Sequence, residues 1–167
     1  MAPCVIIVMG VSGSGKTTVA SQLAERLHWK FMEGDSFHPA ANVEKMRGGI
    51  PLTDADRWPW LDTIAAWIDA SRAANQCCVV TCSALKRAYR ARLAGGHGDV
   101  RFVYLKAEQA LIARRMAARQ GHYMPVSLLQ SQFDTLEEPG LDEDAIAMPA
   151  DATPEEIAAR IVTALNL

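Results

Sequence analysis

The chain has no long apolar run, no surplus of charge of either sign, no paired cysteine motif and no internal repeat. Each absence removes a class of protein. A formal net charge of −2 leaves no general basic footprint for nucleic acid or an anionic membrane. The first apolar run, in MAPCVIIVMGVSGSGK, is too short to span a bilayer, lacks a basic leader and is broken by glycines. It reads as a strand and not as a signal peptide. The cysteines Cys4, Cys77, Cys78 and Cys82 include no C-x-x-C pair. Cys77 and Cys78 would point to opposite faces of a strand. Cys78 and Cys82 would lie about 13 Å apart at strand rise, too far to share a metal or a disulfide. All four therefore read as small buried apolar residues in a reducing cytosol.

What is present fits one compact α/β domain. The 167 residues are 50% apolar, enough for a full core and too many for disorder. Apolar runs alternate with helix-period segments. CVIIVM (4–9), KFME (30–33), CCVVTC (77–82), RFVYLK (101–106) and AIAM (145–148) read as strands. The first, third and fourth are nearly continuous in apolar or β-branched residues, as expected of central parallel strands covered on both faces. Val19, Leu23, Ala24 and Leu27 form one helical stripe; Trp60, Ile64, Trp67 and Ile68 form another. TPEE opens the last helix, with Thr153 as N-cap, Pro154 first in the helix and Glu156 closing a capping box. Such alternation predicts a parallel sheet with right-handed crossovers, and ligands beyond the carboxyl ends of its strands.

The strongest motif is GVSGSGKT, formed by Gly10, Val11, Ser12, Gly13, Ser14, Gly15, Lys16 and Thr17. It fits G-x-x-x-x-G-K-[ST] between an expected strand and an expected helix. Glycines let the backbone wrap phosphate with several N–H groups pointing inward, and the helix N-terminus adds positive potential. Lys16 supplies a charge for the β- and γ-phosphates, and the Thr17 hydroxyl is the expected magnesium ligand. Marks of motors and switches are missing. CCVVTC runs into Ser83 and RFVYLK ends in Lys106, so neither strand closes on an acid that would hold magnesium, and no N-K-x-D occurs. A small-molecule kinase needs only a phosphate cradle, an acceptor pocket and a cover that excludes water.

EGDSFHP, 33–39, follows the second strand and would lie near the phosphate loop. A carboxylate there can accept the proton of an acceptor hydroxyl or hold a metal-bound water. Gly34 lets the chain turn so that Asp35 faces the cleft, and Glu33 could serve the metal's outer shell. The competing reading makes Asp35 an ordinary helix N-cap. Pro39 as a first helical residue would instead give that position to His38 or Phe37.

These segments, with GVSGSGKTT (10–18), EGDSFHPAANVEKMRGGIPLTDADRWPWL (33–61), CSALKRAYR (82–90) and RQGHYMPVSLLQSQFDTLEEP (119–139), resemble the gluconate kinases (gluconokinases). That family lies within a larger group resembling shikimate and nucleoside-monophosphate kinases. The phosphate loop alone is unspecific; the ordered set H-P-x-x-N-x-x-K-M, G-x-P-L-x-D-x-D-R-x-P-W-L, S-A-L-K and G-H-[FY]-M is highly specific. Tyr123 stands where the family often has phenylalanine. The resemblance implies ATP- and Mg2+-dependent phosphorylation of D-gluconate at its 6-hydroxyl, a five-stranded parallel sheet with a mobile lid, and a cytoplasmic, usually homodimeric protein.

A polyhydroxylated carboxylate needs a cation for its carboxylate and polar groups for its hydroxyls. His38, Lys45, Arg47, Arg57 and Lys86 are available in the matching segments. Arg57 either forks onto the substrate carboxylate or pairs with Asp54 or Asp56. His38 either bonds a sugar hydroxyl or is a satisfied turn histidine. Lys86 reads as a ligand contact and Lys45 as part of a solvated face. Trp60 and Trp67 read as core, and Trp58 stays open. The lid is placed at about 114–126. Arg115 and Arg119 lie one helical turn apart there, and Arg114 is either a third lid cation or part of a solvated face. Lid arginines of related kinases meet the γ-phosphate, which assigns Arg119 to the developing charge and Arg115 to the nucleotide. Gly121 is a candidate hinge. MPADATPEE would flank adenine mostly through its backbone.

Overall fold

The computed structural model describes residues 2–118 and 127–167. All five expected strands form: β1 (Val5–Met9), β2 (Lys30–Glu33), β3 (Cys78–Thr81), β4 (Val100–Lys106) and β5 (Ala145–Pro149). They make one parallel sheet in the order β2-β3-β1-β4-β5. Between them run α1 (Lys16–Leu27), α2 (Ala40–Arg47), α3 (Asp54–Ala73), α4 (Arg87–Ala94), α5 (Gln109–Ala118), α6 (Ser127–Thr135) and α7 (Pro154–Leu165). β1 pairs with β3 on one side and β4 on the other, so the chain reverses its direction of winding there. The loop after β1 opens into the crevice this reversal leaves.

Alternation along β1 divides the core into two layers. Val5, Ile7 and Met9 face Trp60, Ile64 and Ile68 of α3 with Tyr89 and Leu93 of α4. Ile6 and Val8 face Val19 and Leu23 of α1 with Ile157 and Ile161 of α7. Both helical stripes read from the sequence are therefore core faces; Leu27 and Trp67 pack at their margins. Each large side chain buried in this way contributes about 1.5–3 kcal/mol of hydrophobic transfer.

Three local details differ from expectation. The reciprocal capping box closes at the start of α3, where Thr53 N donates to Asp56 Oδ2 (2.9 Å) and Asp56 N to Thr53 Oγ1 (3.1 Å). At α7, Glu156 N donates to Thr153 Oγ1 (3.2 Å), and among the described residues no return bond from the Glu156 side chain completes the box. Pro39 is the cap residue of α2 and not its first helical residue. Cys4 and Cys77 are joined by a disulfide, with Cα atoms 4.6 Å apart, so they are not simply apolar filler. The cause is register: Val5 lies opposite Cys78 in parallel strands, which sets the preceding residues side by side. Cys78 and Cys82 are free and buried, as expected. Burial pushes their thiols up to about 11 and about 12, so both stay protonated.

The end of β2 is clamped where the site begins. Gly34 N donates to Thr81 Oγ1 (3.0 Å), and Gly34 O accepts from Trp60 Nε1 (2.8 Å). A Cβ on Gly34 would sit 1.9 Å from the Thr81 carbonyl oxygen, backbone against backbone. Gly34→Ala is therefore expected to cost more than about 3 kcal/mol in urea unfolding, whereas Gly98→Ala, with nothing within 4 Å of its Cβ, should stay within about 0.5 kcal/mol. Equal stability of the two variants would contradict this packing.

Candidate active site

The phosphate-loop motif occupies the turn from β1 to α1. Gly13 adopts φ +81°, and a Cβ there would lie 3.1 Å from Ile112 and 3.3 Å from Met116 of α5. Only glycine allows both the backbone shape and this approach. Ser14 Oγ is buried with no hydrogen-bond partner. An orphaned hydroxyl within a glycine-rich cradle at a helix N-terminus suits a phosphate ligand. Lys16 Nζ donates to the carbonyls of Gly10 (3.1 Å) and Val11 (3.0 Å). Burial lowers the Lys16 pKa, while the charges of Asp35 and Glu33 oppose that shift.

Glu33 connects three elements. Its Oε2 accepts from Thr17 Oγ1 (2.5 Å) at the start of α1, and its Oε1 accepts from Thr81 Oγ1 (2.5 Å) at the end of β3. Thr17 and Glu33 thus place two hard oxygen donors beside the cradle, a donor set that fits a divalent cation. A cation bound largely by phosphates and water needs little more from the protein.

Asp35 lies in a 3-10 turn, Gly34–Phe37, and its side chain caps no helix. It lines one cleft with Lys16, Ser12 and Ser83. His38 and Arg57 line the same cleft, as do Trp60 and, from α6, Ser131 and Gln132. His38 stacks on Trp60 with ring centroids 4.0 Å apart. Asn42 Nδ2 donates to Asp56 O (3.0 Å), which fixes the amide, and approaches His38 Nδ1 at 3.2 Å. Nδ1 is then the acceptor and Nε2 carries the hydrogen, facing Asp35 Oδ1 at 3.7 Å. Burial lowers the His38 pKa to about 4 against the pull of Asp35.

Arg57 pairs with neither neighbouring aspartate among the described ion pairs. Its Nη1 donates to Tyr89 OH (3.1 Å), and that hydroxyl donates to Asp54. Asp54 is also held by Lys86 Nζ (3.0 Å), and Asp56 by Lys45 Nζ (2.7 Å). Lys45 therefore tethers α2 to the cap of α3 instead of standing on a solvated face, and its bond takes Asp56 down to about 2. Lys86 and exposed Arg47 lie outside the cleft lining. Trp58 packs edge-on against Tyr89 with Arg92 over its ring.

On the other side of the phosphate loop, Gly13, Gly15 and Thr18 face Ala150, Ala152 and Pro154 across a mainly apolar hollow. Arg115 closes it, donating from Nη2 to Ala150 O (2.7 Å) and from Nη1 to Ser14 O (3.4 Å). Arg114 is exposed on α5 beside Lys106 and Asp151. The expected lid at 114–126 begins within α5; Arg119, Gly121 and Tyr123 lie outside the described residues.

Sequence reasoning did not single out Thr81, Tyr89, Asn42 or Gln132. Each acts through a partner at least 30 residues away or through a turn geometry that spacing does not reveal, apart from Asn42, whose helical i,i+4 distance from His38 was a usable signal.

A phosphate cradle at the sheet's reversal point, with an acid-bearing strand end across the cleft, defines a phosphate-loop kinase. The family described as "AAA domain" matches residues 5–139. The gluconokinase of Gluconobacter oxydans (strain 621H) is 49% identical over 160 residues, covering 96% of this chain and 90% of the relative. A crystal structure of a sugar kinase from Janibacter sp. HTCC2649 superposes with TM-score 0.93 at 46% identity, covering 98% and 95% of the two chains. One of a gluconokinase from Sinorhizobium meliloti 1021 gives 0.88 at 44%, covering 98% and 92%. The chain belongs to the gluconokinase family of phosphate-loop kinases.

The neutral His38 has a measurable consequence. Its folded pKa of about 4 lies below the ordinary 6.5, so between these values the unfolded chain binds a proton that the folded chain refuses. Stability should fall as pH drops through this window, by on the order of 2–3 kcal/mol in total. Urea titrations of His38→Gln at pH 7, 5 and 4 should lack that part of the acid loss. An identical acid limb in the variant would contradict a buried neutral imidazole.

Proposed function

We propose that this protein transfers the γ-phosphoryl group of ATP to the 6-hydroxyl of D-gluconate, giving 6-phosphogluconate and ADP. The observation that carries the reading is the meeting of Lys16 and Asp35 in one cleft, in a chain so close to proteins named gluconokinase. Asp35 takes the proton of the 6-hydroxyl as its oxygen forms a bond to the γ-phosphorus and the bond from that phosphorus to ADP breaks. Lys16 and the backbone N–H groups of residues 13–17 hold the phosphates. Thr17 and, through water, Glu33 are the residues that would hold Mg2+, and the ion would supply neutralisation of phosphate charge. Arg119 is assigned to the developing charge by the family resemblance alone.

Arg57 is the cation best placed for the gluconate carboxylate, because it lines the cleft and is aimed by Tyr89, whereas Lys86 is held by Asp54 and exposed Arg47 is not among the lining residues. His38, neutral at pH 7, offers Nε2–H to a hydroxyl without adding charge beside Asp35. The apolar hollow bounded by Ala150 and Pro154 suits a flat heterocycle, with Arg115 stacked or bonded at its edge. The resemblance also supports a cytoplasmic homodimer. Among the described residues, no helix is long and apolar enough to cross a membrane.

An acceptor screen tests the substrate. ADP release should be stimulated by gluconate and not by shikimate or nucleoside monophosphates; stimulation by one of the latter would overturn the assignment, and ATP binding without stimulated turnover by any acceptor would point to a non-catalytic binding module. Asp35→Asn should lower turnover by about a hundred- to ten-thousand-fold while leaving ATP affinity largely intact. Near-normal turnover in that variant contradicts the role given to Asp35.

A further inference from the structure

Gln132 of α6 makes a polar contact with the phosphate loop backbone: its Oε1 accepts from Ser12 N at 2.6 Å. The contact is built by packing. Leu129, one turn earlier on α6, packs with Val11 of the loop, and with Ile112 and Met116 of α5. Leu128, on the adjoining face, packs with Met46 of α2. Residues 128, 131 and 132 therefore share the helix face that looks into the cleft, where Ser131 and Gln132 stand opposite Asp35 and Lys16.

Ser12 has a particular position in the cradle. The N–H groups that follow Gly13 lead into α1, where the inner phosphates belong. Ser12 instead lines the acceptor cleft with Lys16 and Asp35. The phosphoryl group that is transferred must face the acceptor, so the Ser12 N–H is the donor on the terminal-phosphate side. Gln132 presents to that donor a neutral carbonyl oxygen, in the place suited to a phosphate oxygen.

We infer that Gln132 is a positioning residue that competes with the terminal phosphoryl group for the Ser12 N–H, and so makes the docking of α6 sensitive to whether a triphosphate or a diphosphate is bound. This rests on the nucleotide-binding reading given above, and goes beyond it in separating the two nucleotides. A diphosphate leaves the Gln132–Ser12 bond in place. A triphosphate displaces the Gln132 oxygen from the Ser12 N–H. A hydrogen bond of this kind nets about 0.5–1.5 kcal/mol, which corresponds to a change in affinity of about two- to tenfold.

The test compares ADP with the β,γ-imido analogue of ATP, both with MgCl2, by titration calorimetry on the full chain. Gln132→Leu removes the competing acceptor and should tighten the triphosphate analogue by about two- to tenfold while ADP changes by less than about twofold. Gln132→Glu places a negative charge against the terminal phosphate and should weaken the analogue by about tenfold or more, again sparing ADP. ADP affinity serves as the control for folding; should Gln132→Leu lose it, Gln132→Asn, one methylene shorter, takes its place with the same expected direction. A triphosphate-to-diphosphate affinity ratio unchanged in the Leu (or Asn) and Glu variants would overturn the inference while leaving the kinase reading standing. Failure of the wild-type chain to bind either nucleotide would overturn both.

Discussion

The carboxylate of Glu33 is the constraint on which the site depends. It accepts one hydroxyl from the first turn of α1 and one from the end of β3, while being itself the last residue of β2. Three segments that are far apart in sequence are thereby fixed around one side chain. The phosphate loop cannot shift along α1, nor β2 slide on β3, without breaking a charge-assisted hydrogen bond of a kind roughly twice as strong as a neutral one. Because the next residue is the clamped Gly34, the same constraint sets the direction in which Asp35 leaves the strand. The cradle and the candidate base are held in register by one acid and one backbone clamp.

The acceptor side is built with equal attention to charge. Two lysines neutralise Asp54 and Asp56, which among the described residues leaves Arg57 tied to a phenol and not to a carboxylate. An arginine kept out of an intramolecular ion pair retains its capacity for a substrate carboxylate. His38 is neutral because burial disfavours the imidazolium and the nearby Arg57 charge adds to that effect. A charged imidazole next to Asp35 would reduce the basicity that proton removal requires. The α6 helix completes the enclosure, with Gln132 touching the loop from the opposite wall.

Much of the fold was legible because it is written in short-range patterns. Nearly continuous apolar runs marked the central strands β1, β3 and β4, and the periodicity of Trp60, Ile64 and Ile68 marked the buried face of α3. The phosphate loop was legible because its chemistry requires glycine, lysine and threonine at fixed spacing. What spacing could not reveal was pairing across the sheet. Measuring along one strand excluded a disulfide between Cys78 and Cys82, yet it was blind to Cys4 and Cys77, which sit in neighbouring strands 73 residues apart in sequence. The partners of Lys45 and Lys86 were hidden for the same reason: they lie on α3, and only the folded chain brings the lysines to them. The segment resembling a kinase lid announced its residue types, but Arg119 falls outside the described residues, and its role stands on resemblance.

The central claim is that one crevice aligns a terminal phosphorus with an alcohol of a small sugar acid and sets the Asp35 carboxylate beside that alcohol. A crystal structure of the chain with gluconate and a non-hydrolysable ATP analogue measures this directly. The account predicts an Asp35 oxygen at hydrogen-bond distance, about 2.6–3.2 Å, from the 6-hydroxyl, with that hydroxyl in line with the γ-phosphorus and the sugar carboxylate on Arg57. A ternary complex in which Asp35 points to solvent, or in which the 6-hydroxyl lies away from the phosphate cradle, would contradict it.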